Sequence, residues 1–167
     1  MVLALDVHYK ETGTAKAVGI LFDWTAIQPK KVITEYVNMI SDYIPGEFYK
    51  RELPCLLKII EKAPLKDIEA ILVDGHIYVD NDGKYGLGGM LWEALNKQTP
   101  IIGLAKTSFF SNKQTVNELY RGKSKKPLFL SVIGCDMEAT AEKIKNMKGG
   151  YRIPTILKEL DIITKTE

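Results

Sequence analysis

Cys55 and Cys135 are the only cysteines in 167 residues. Two thiols cannot build a disulfide framework, and a reducing compartment suits such a chain best. No apolar run approaches the roughly 20 residues that a membrane-spanning helix needs. No basic segment precedes a long apolar run at the N-terminus, so a secretory signal is not expected. The formal net charge is only +2, too small by itself to demand a polyanionic partner. Internal repeats, linkers and low-complexity stretches are missing as well. What is left is an ordinary composition, 46% hydrophobic and 26% charged. That is enough for one domain over residues 1–167 with a sizeable core, and it fits a cytoplasmic protein.

Residues 2–9 are apolar on both faces, which predicts a central strand. Glu11-Thr12-Gly13-Thr14 makes a turn, and residues 15–22 read as the hairpin partner. A third strand lies within residues 24–38. Pro45-Gly46 breaks the chain. Leu53, Leu56, Leu57 and Ile60 fall at helical spacing and predict a helix over 48–62, stopped by Pro64. Residues 68–73 read as a strand, and Asp74-Gly75 opens a polar loop. Helices over 87–97, 137–147 (with Asp136 as N-cap) and 154–164 alternate with strands over 100–105 and 127–132. The order predicts a mixed α/β domain: a three-strand antiparallel meander followed by parallel α/β units. By analogy this is the layout of the ribonuclease H-like fold.

Three acidic residues stand out against that background. Asp6 interrupts the apolar run 2–7. Asp74 ends the run 68–73. Glu52 lies between them in the predicted helix. A carboxylate on a mostly apolar strand is costly unless something pairs with it. Carboxylates brought together repel, and a divalent cation is the usual remedy. That grouping is the core of a metal-dependent phosphodiester-cutting site. Lys106, just past a buried strand, is a candidate to face a phosphate. Asp74 could also be only a turn former, and Glu52 only a solvated helix residue. His8 reads better as an ordinary surface or core histidine than as a ligand. Cys135 reads as a small buried side chain, not a nucleophile. The basic run Arg121-Gly122-Lys123-Ser124-Lys125-Lys126 reads equally as a polyanion-facing patch or a solvated loop.

Several stretches, in order along the chain, resemble the endonuclease V family. They are Asp6-Val7-His8-Tyr9, Tyr43-Ile44-Pro45-Gly46 with Arg51-Glu52 behind it, and Ile71-Leu72-Val73-Asp74-Gly75. After these come Tyr85-Gly86-Leu87-Gly88-Gly89, Gly103-Leu104-Ala105-Lys106 and Tyr151-Arg152-Ile153-Pro154. The sequence is identified as a short, divergent member. The resemblance implies an endonuclease that acts on deaminated, inosine-containing nucleic acid, DNA more than RNA, in a repair role. Cutting on the 3′ side of the lesion would leave a 5′-phosphate and a 3′-hydroxyl. It implies Mg²⁺, with Mn²⁺ as a substitute, held directly by Asp6 and Asp74 with Glu52 nearby through water. Lys106 would support the phosphate or the leaving group. Tyr43 and Pro45 would form a wedge that fills the gap left by a flipped base, with Gly46 and Gly75 bringing backbone close to that base. The expected form is a monomer without membrane association.

Two stretches depart from the family pattern. The loop after Asp74-Gly75 normally reads Gln-Gly-Ile-Ala-His-Pro-Arg; here residues 76–83 read His-Ile-Tyr-Val-Asp-Asn-Asp-Gly. Where the family has Gly-His-Arg, this chain has Gly134-Cys135-Asp136. These changes keep two alternatives open. One is a homologue that binds nucleic acid without cutting; the other is a nuclease of the same fold with another DNA substrate.

Tyr43 separates the resemblance from simple turn packing. As a wedge, its ring is worth roughly 1–3 kcal/mol of stacking. Tyr43→Ala then weakens binding to a modified strand by about one to two factors of ten and leaves metal affinity alone. If Tyr43 only packs the Pro45 turn, the same change lowers the melting temperature and leaves binding per folded molecule intact. Thermal melts and binding isotherms on the one variant distinguish the two.

Overall fold

The computed structural model describes residues 1–38 and 48–167. Tyr43, Pro45 and Gly46 lie outside the described residues.

Strands β1 (Val2–Tyr9), β2 (Thr14–Phe22) and β3 (Lys31–Asn38) form the antiparallel meander. β4 (Ala70–Val73) and β5 (Ile101–Ala105) add in parallel on the far side of β1. The remaining strands are β6 (Asn117–Leu119) and β7 (Leu128–Ile133). Together they make one mixed sheet of seven strands, in the order β3-β2-β1-β4-β5-β7-β6.

The sequence predicts a further parallel strand over 127–132. That strand, β7, instead runs antiparallel to β5. A parallel return needs a crossover, usually a helix. Between β5 and β7 the chain has only a 3₁₀ turn at Phe110–Asn112 and the short β6, so β7 comes back antiparallel between β5 and β6.

Strand alternation splits the core into two layers. Val2 and Ala4 of β1 face one side, where they pack with Ile144, Ile156 and Leu160. Leu3 and Leu5 face the other and pack with Leu56, Ile59 and Leu91. Helices α1 (Phe48–Ile60) and α2 (Leu87–Ala94) cover the Leu3 side. Helices α3 (Met137–Lys145) and α4 (Thr155–Lys165) cover the Val2 side. α3 starts as expected, with the Asp136 carboxylate accepting from Ala139 N at 2.8 Å. α2 stops short of Lys97 because Asn96 and Lys97 adopt positive φ, the left-handed turn that ends helices. No described helix is long and apolar enough to cross a membrane.

Two buried cations fix the Val2 side. Lys16 of β2 is only 6% exposed. Its ammonium donates to Ile163 O at 2.7 Å and Thr166 O at 2.5 Å, the last carbonyls of α4. A cation at a helix C-terminus satisfies orphan carbonyls and complements the helix dipole. Arg121, at the head of the basic run, is also buried and donates to carbonyls at the end of α3. The solvated-patch readings of the run therefore fail at Arg121, while Lys123, Lys125 and Lys126 are exposed.

Lys16→Met keeps the apolar stem but removes both bonds to α4. The expected loss is about 2 kcal/mol, or a melting temperature lower by roughly 4–8 °C for a chain of this size. Differential scanning calorimetry reads it. A change near zero would mean that α4 holds its place without the clamp.

Candidate active site

Leu5 of β1 pairs with Val73 of β4. The next residues are Asp6, midway along β1, and Asp74, just past the end of β4, so parallel register brings the two aspartates to neighbouring positions where the β1–β4 pairing ends. Open α/β sheets place their sites at such ends. The pair sits at a junction. On the α1 side it lines a cavity of about 100 Å³ with Glu52, Val7, Leu56 and Leu87. On the α4 side it lines a cleft of about 910 Å³ with Lys106, Leu160 and Asp161.

Each group has a distinct origin. Asp6 is half-buried on β1, and its Oδ1 accepts from Val7 N at 3.0 Å. Glu52 enters from the first turns of α1, whose buried face of Cys55, Leu56 and Ile59 packs on the sheet. Asp74 is open to solvent at the cavity mouth. Lys106 follows the end of β5. Gly103 of that strand leaves room for the loop that carries Asp74. A Cβ there would fall 2.7 Å from Gly75 O and 2.8 Å from Ser131 Oγ, and Ser131 Oγ accepts from Ile77 N at 3.0 Å.

Electrostatics tie the carboxylates together. Burial and then the neighbouring Asp74 charge push the Asp6 carboxyl up to about 6. Burial, then Asp74 and Asp6, push Glu52 up to about 8, with Arg51 only partly offsetting them. Asp74 is raised by burial, while Lys106 pulls it down; its access to solvent limits the effect of burial. His76, two residues on, is buried. Its Nε2 donates to Thr107 O at 2.8 Å, which leaves Nδ1 without a hydrogen-bond partner. Burial lowers its pKa and keeps it neutral.

The donor set fits a hard divalent cation: oxygen ligands only, with Asp74 raising the proton affinity of Asp6 and both raising that of Glu52. The fit is incomplete in one respect. Among the described residues, no three Asp, Glu, His or Cys side chains are gathered closely enough to hold one ion together. Asp6, Glu52 and Asp74 share a cavity and one another's field without that convergence.

Reading the sequence misses Asp161. It sits on α4, lines the α4-side cleft and raises the proton affinity of Asp6 and Asp74. Its partner Lys165 lies one helical turn on, at 2.8 Å. The available signal was position: Asp161 falls four residues after Leu157, on the edge of the buried stripe of α4. Thr164 was missed too; its hydroxyl donates to Leu160 O at 2.7 Å, and it stands near enough to Asp6 to offset part of the rise in its proton affinity. His8 pairs with Lys16 across β1 and β2.

Fold and site together define a ribonuclease H-like protein with an acidic centre at its strand ends. The family model for endonuclease V matches residues 1–162, and the chain belongs to that family. It is 32% identical to the endonuclease V of Sulfolobus acidocaldarius over 110 residues, 65% of this chain and 50% of that protein. The endonuclease V of Dehalococcoides mccartyi is 26% identical over 178 aligned positions, covering 95% of this chain and 78% of the relative. The match to the Sulfolobus protein thus spans about half that relative's length. Among solved structures, the endonuclease V of Ciona intestinalis superposes with a TM-score of 0.80 at 19% identity, over 98% of this chain and 83% of that one.

The raised carboxyls set a pH dependence. Asp6 and Glu52 bind protons more tightly folded than unfolded. Between about pH 4 and 8 the folded state therefore holds more protons, and metal-free stability falls as pH rises through that interval. Glu52→Gln removes the part due to position 52, so the variant's stability gains on the wild type as pH goes from about 5 to 8. Urea titrations in EDTA read this. A constant difference across the interval would show that Glu52 titrates normally. Mg²⁺ flattens the wild-type slope if it binds the same carboxylates.

Proposed function

We propose that this protein is a metal-dependent endonuclease acting on deaminated, inosine-containing DNA. One observation carries the reading: Asp6 and Asp74 occupy neighbouring positions where the parallel pairing of β1 and β4 ends, with Glu52 on the same cavity and Lys106 on the adjoining cleft. Membership of the endonuclease V family supports it, as does the likeness to the Ciona protein, solved with DNA containing an inosine followed by a ribo-adenosine.

Asp6 and Asp74 would hold Mg²⁺, or Mn²⁺ in its place, with Glu52 acting through water and Asp161 as a further carboxylate on the α4 side. When bound, the ion supplies Lewis-acid polarisation of the phosphate and a lower pKa for water. The chain's own groups do the rest. Val7 N donates to Asp6 Oδ1 and orients it, and with Thr164 it partly offsets the rise in Asp6 proton affinity. Lys106 neutralises charge on the phosphate and restrains the proton affinity of Asp74. Leu56, Val73 and Leu87 wall the small cavity beside the carboxylates. Tyr43 and Pro45 would supply the wedge, and Gly46 and Gly75 would bring backbone close to the flipped base. Unstacking the base costs a few kcal/mol, an amount that aromatic stacking can offset. Cleavage on the 3′ side of the lesion would leave a 5′-phosphate and a 3′-hydroxyl.

The test is cleavage of end-labelled strands with and without deoxyinosine, in Mg²⁺. The inosine strand is cut preferentially. Asp6→Asn and Asp74→Asn each lower the rate by roughly two to three factors of ten or more, the scale for losing a preorganised electrostatic group. Isothermal calorimetry shows Mg²⁺ binding lost in the same variants. A folded, metal-loaded protein that binds the strand and cuts neither form would instead be a binding homologue, to which the altered loop 76–83 points.

A further inference from the structure

On the α4 side of Asp6 and Asp74, the cleft of about 910 Å³ has mostly apolar walls, including Leu104, Leu128 and Leu157. Tyr151 stands on it with 80% of its surface exposed. A ring that open adds little to the core. Its backbone, by contrast, is held from two directions. The buried Arg121 donates Nη1 to Tyr151 O at 2.6 Å, and Nη2 to Met147 O at 2.5 Å and Gly149 O at 2.9 Å. Arg152 donates Nη2 to Lys106 O at 2.5 Å and to Pro127 O at 2.6 Å. Segment 147–152 is thereby tied to the C-terminus of α3 and to the end of β5 that carries Lys106. Gly122, at positive φ, lets the Arg121 turn pack directly beneath: a Cβ there would lie 2.0 Å from Gly150 O.

Two guanidinium groups thus fix the backbone from which an exposed aromatic ring projects. With that backbone anchored, only the two side-chain torsions of the ring are left to order when a ligand arrives. Lys106, Lys123 and Lys158 line the same cleft. Cations that track phosphates, beside a ring that accepts any base, are the combination that holds single-stranded nucleic acid.

We propose that Tyr151 is a base-stacking platform, and that the cleft it borders holds the stretch of strand next to the phosphate cut at the carboxylates. The proposal rests on the nuclease reading for the identity of that strand. Tyr151 binds and aligns; it takes no part in the chemistry.

Fluorescence anisotropy with labelled single-stranded DNA, plain and inosine-containing, tests this with Ca²⁺ in place of Mg²⁺. Tyr151→Ala weakens binding to both strands about five- to a hundredfold, the range given by about 1–3 kcal/mol of stacking. Its melting temperature stays at the wild-type value. Tyr151→Trp retains affinity. Tyr36→Ala, which removes another exposed ring (57%) on the edge strand β3, leaves affinity unchanged. Wild-type affinity in Tyr151→Ala, an equal loss in Tyr36→Ala, or no strand binding by the wild type overturns the proposal. The nuclease reading fails separately: a wild type that grips the strand through Tyr151 yet leaves it uncut in Mg²⁺ ends that reading and keeps this one.

Discussion

Leu5 faces Val73 across two parallel strands, and the next step on each chain is an aspartate. Everything else at the site answers to that juxtaposition. Parallel register leaves Asp6 and Asp74 no freedom to separate, because β1 and β4 are central strands with apolar side chains on both faces. The Asp74 charge so placed raises the proton affinity of Asp6. Glu52, arriving from α1 into the same small cavity, compounds the effect and is itself pushed up to about 8. Such a cluster is poor as a stabilising feature and well suited to a divalent cation, which turns the mutual repulsion into affinity.

The scaffold around the pair is held by cations of a different kind. Lys16 and Arg121, both buried, and Arg152 direct their donors at backbone carbonyls, not at the carboxylates. Charged donors make the stronger hydrogen bonds, and here they set where α4 begins and ends relative to the sheet. That placement decides which α4 residues, Asp161 and Thr164 among them, face Asp6. Charge near the site therefore divides by place: Arg121, Arg152 and the buried Lys16 hold backbone, while Lys106, Lys123 and Lys158 line the cleft.

The loop that departs most from the family pattern is not loose in this structure. His76 bonds Thr107 O and packs its ring on Phe109 at 5.0 Å. Asn112 donates to Tyr78 O, Ser111 to Val79 O, and Gln114 N to Asn81. The segment following Lys106 thus supplies the partners that give residues 76–81 their shape. A changed recognition loop has come with its own support, and that support hangs from the strand that carries the candidate phosphate-facing lysine.

The meander was legible because its signals are local: two-sided apolar runs, a Gly-containing turn, and alternation over eight or nine residues. Asp6 and Asp74 were legible for the same reason, since a charge inside or at the end of an apolar run is a local anomaly. Lys106 stood out by its place just past a buried strand, whereas Glu52 gained its weight from the order of family-like stretches, since no local pattern distinguishes it from a solvated helix residue. The direction of β7 could not be read, because it depends on which neighbour the strand pairs with after a connection without a helix. Arg121 looked like part of a basic surface run, and only the packing of α3 and of segment 147–152 against it revealed a buried clamp. Asp161 looked like any acid on an amphipathic helix; its nearness to Asp6 is set by how Lys16 seats α4. The sequence by itself determined most of the elements and singled out the two aspartates, because these follow from residue type and period along the chain. Tertiary structure alone decided which distant side chains meet at those aspartates, because docking helices on both faces of a sheet depends on contacts between segments far apart in the chain, and no pattern along the chain records them.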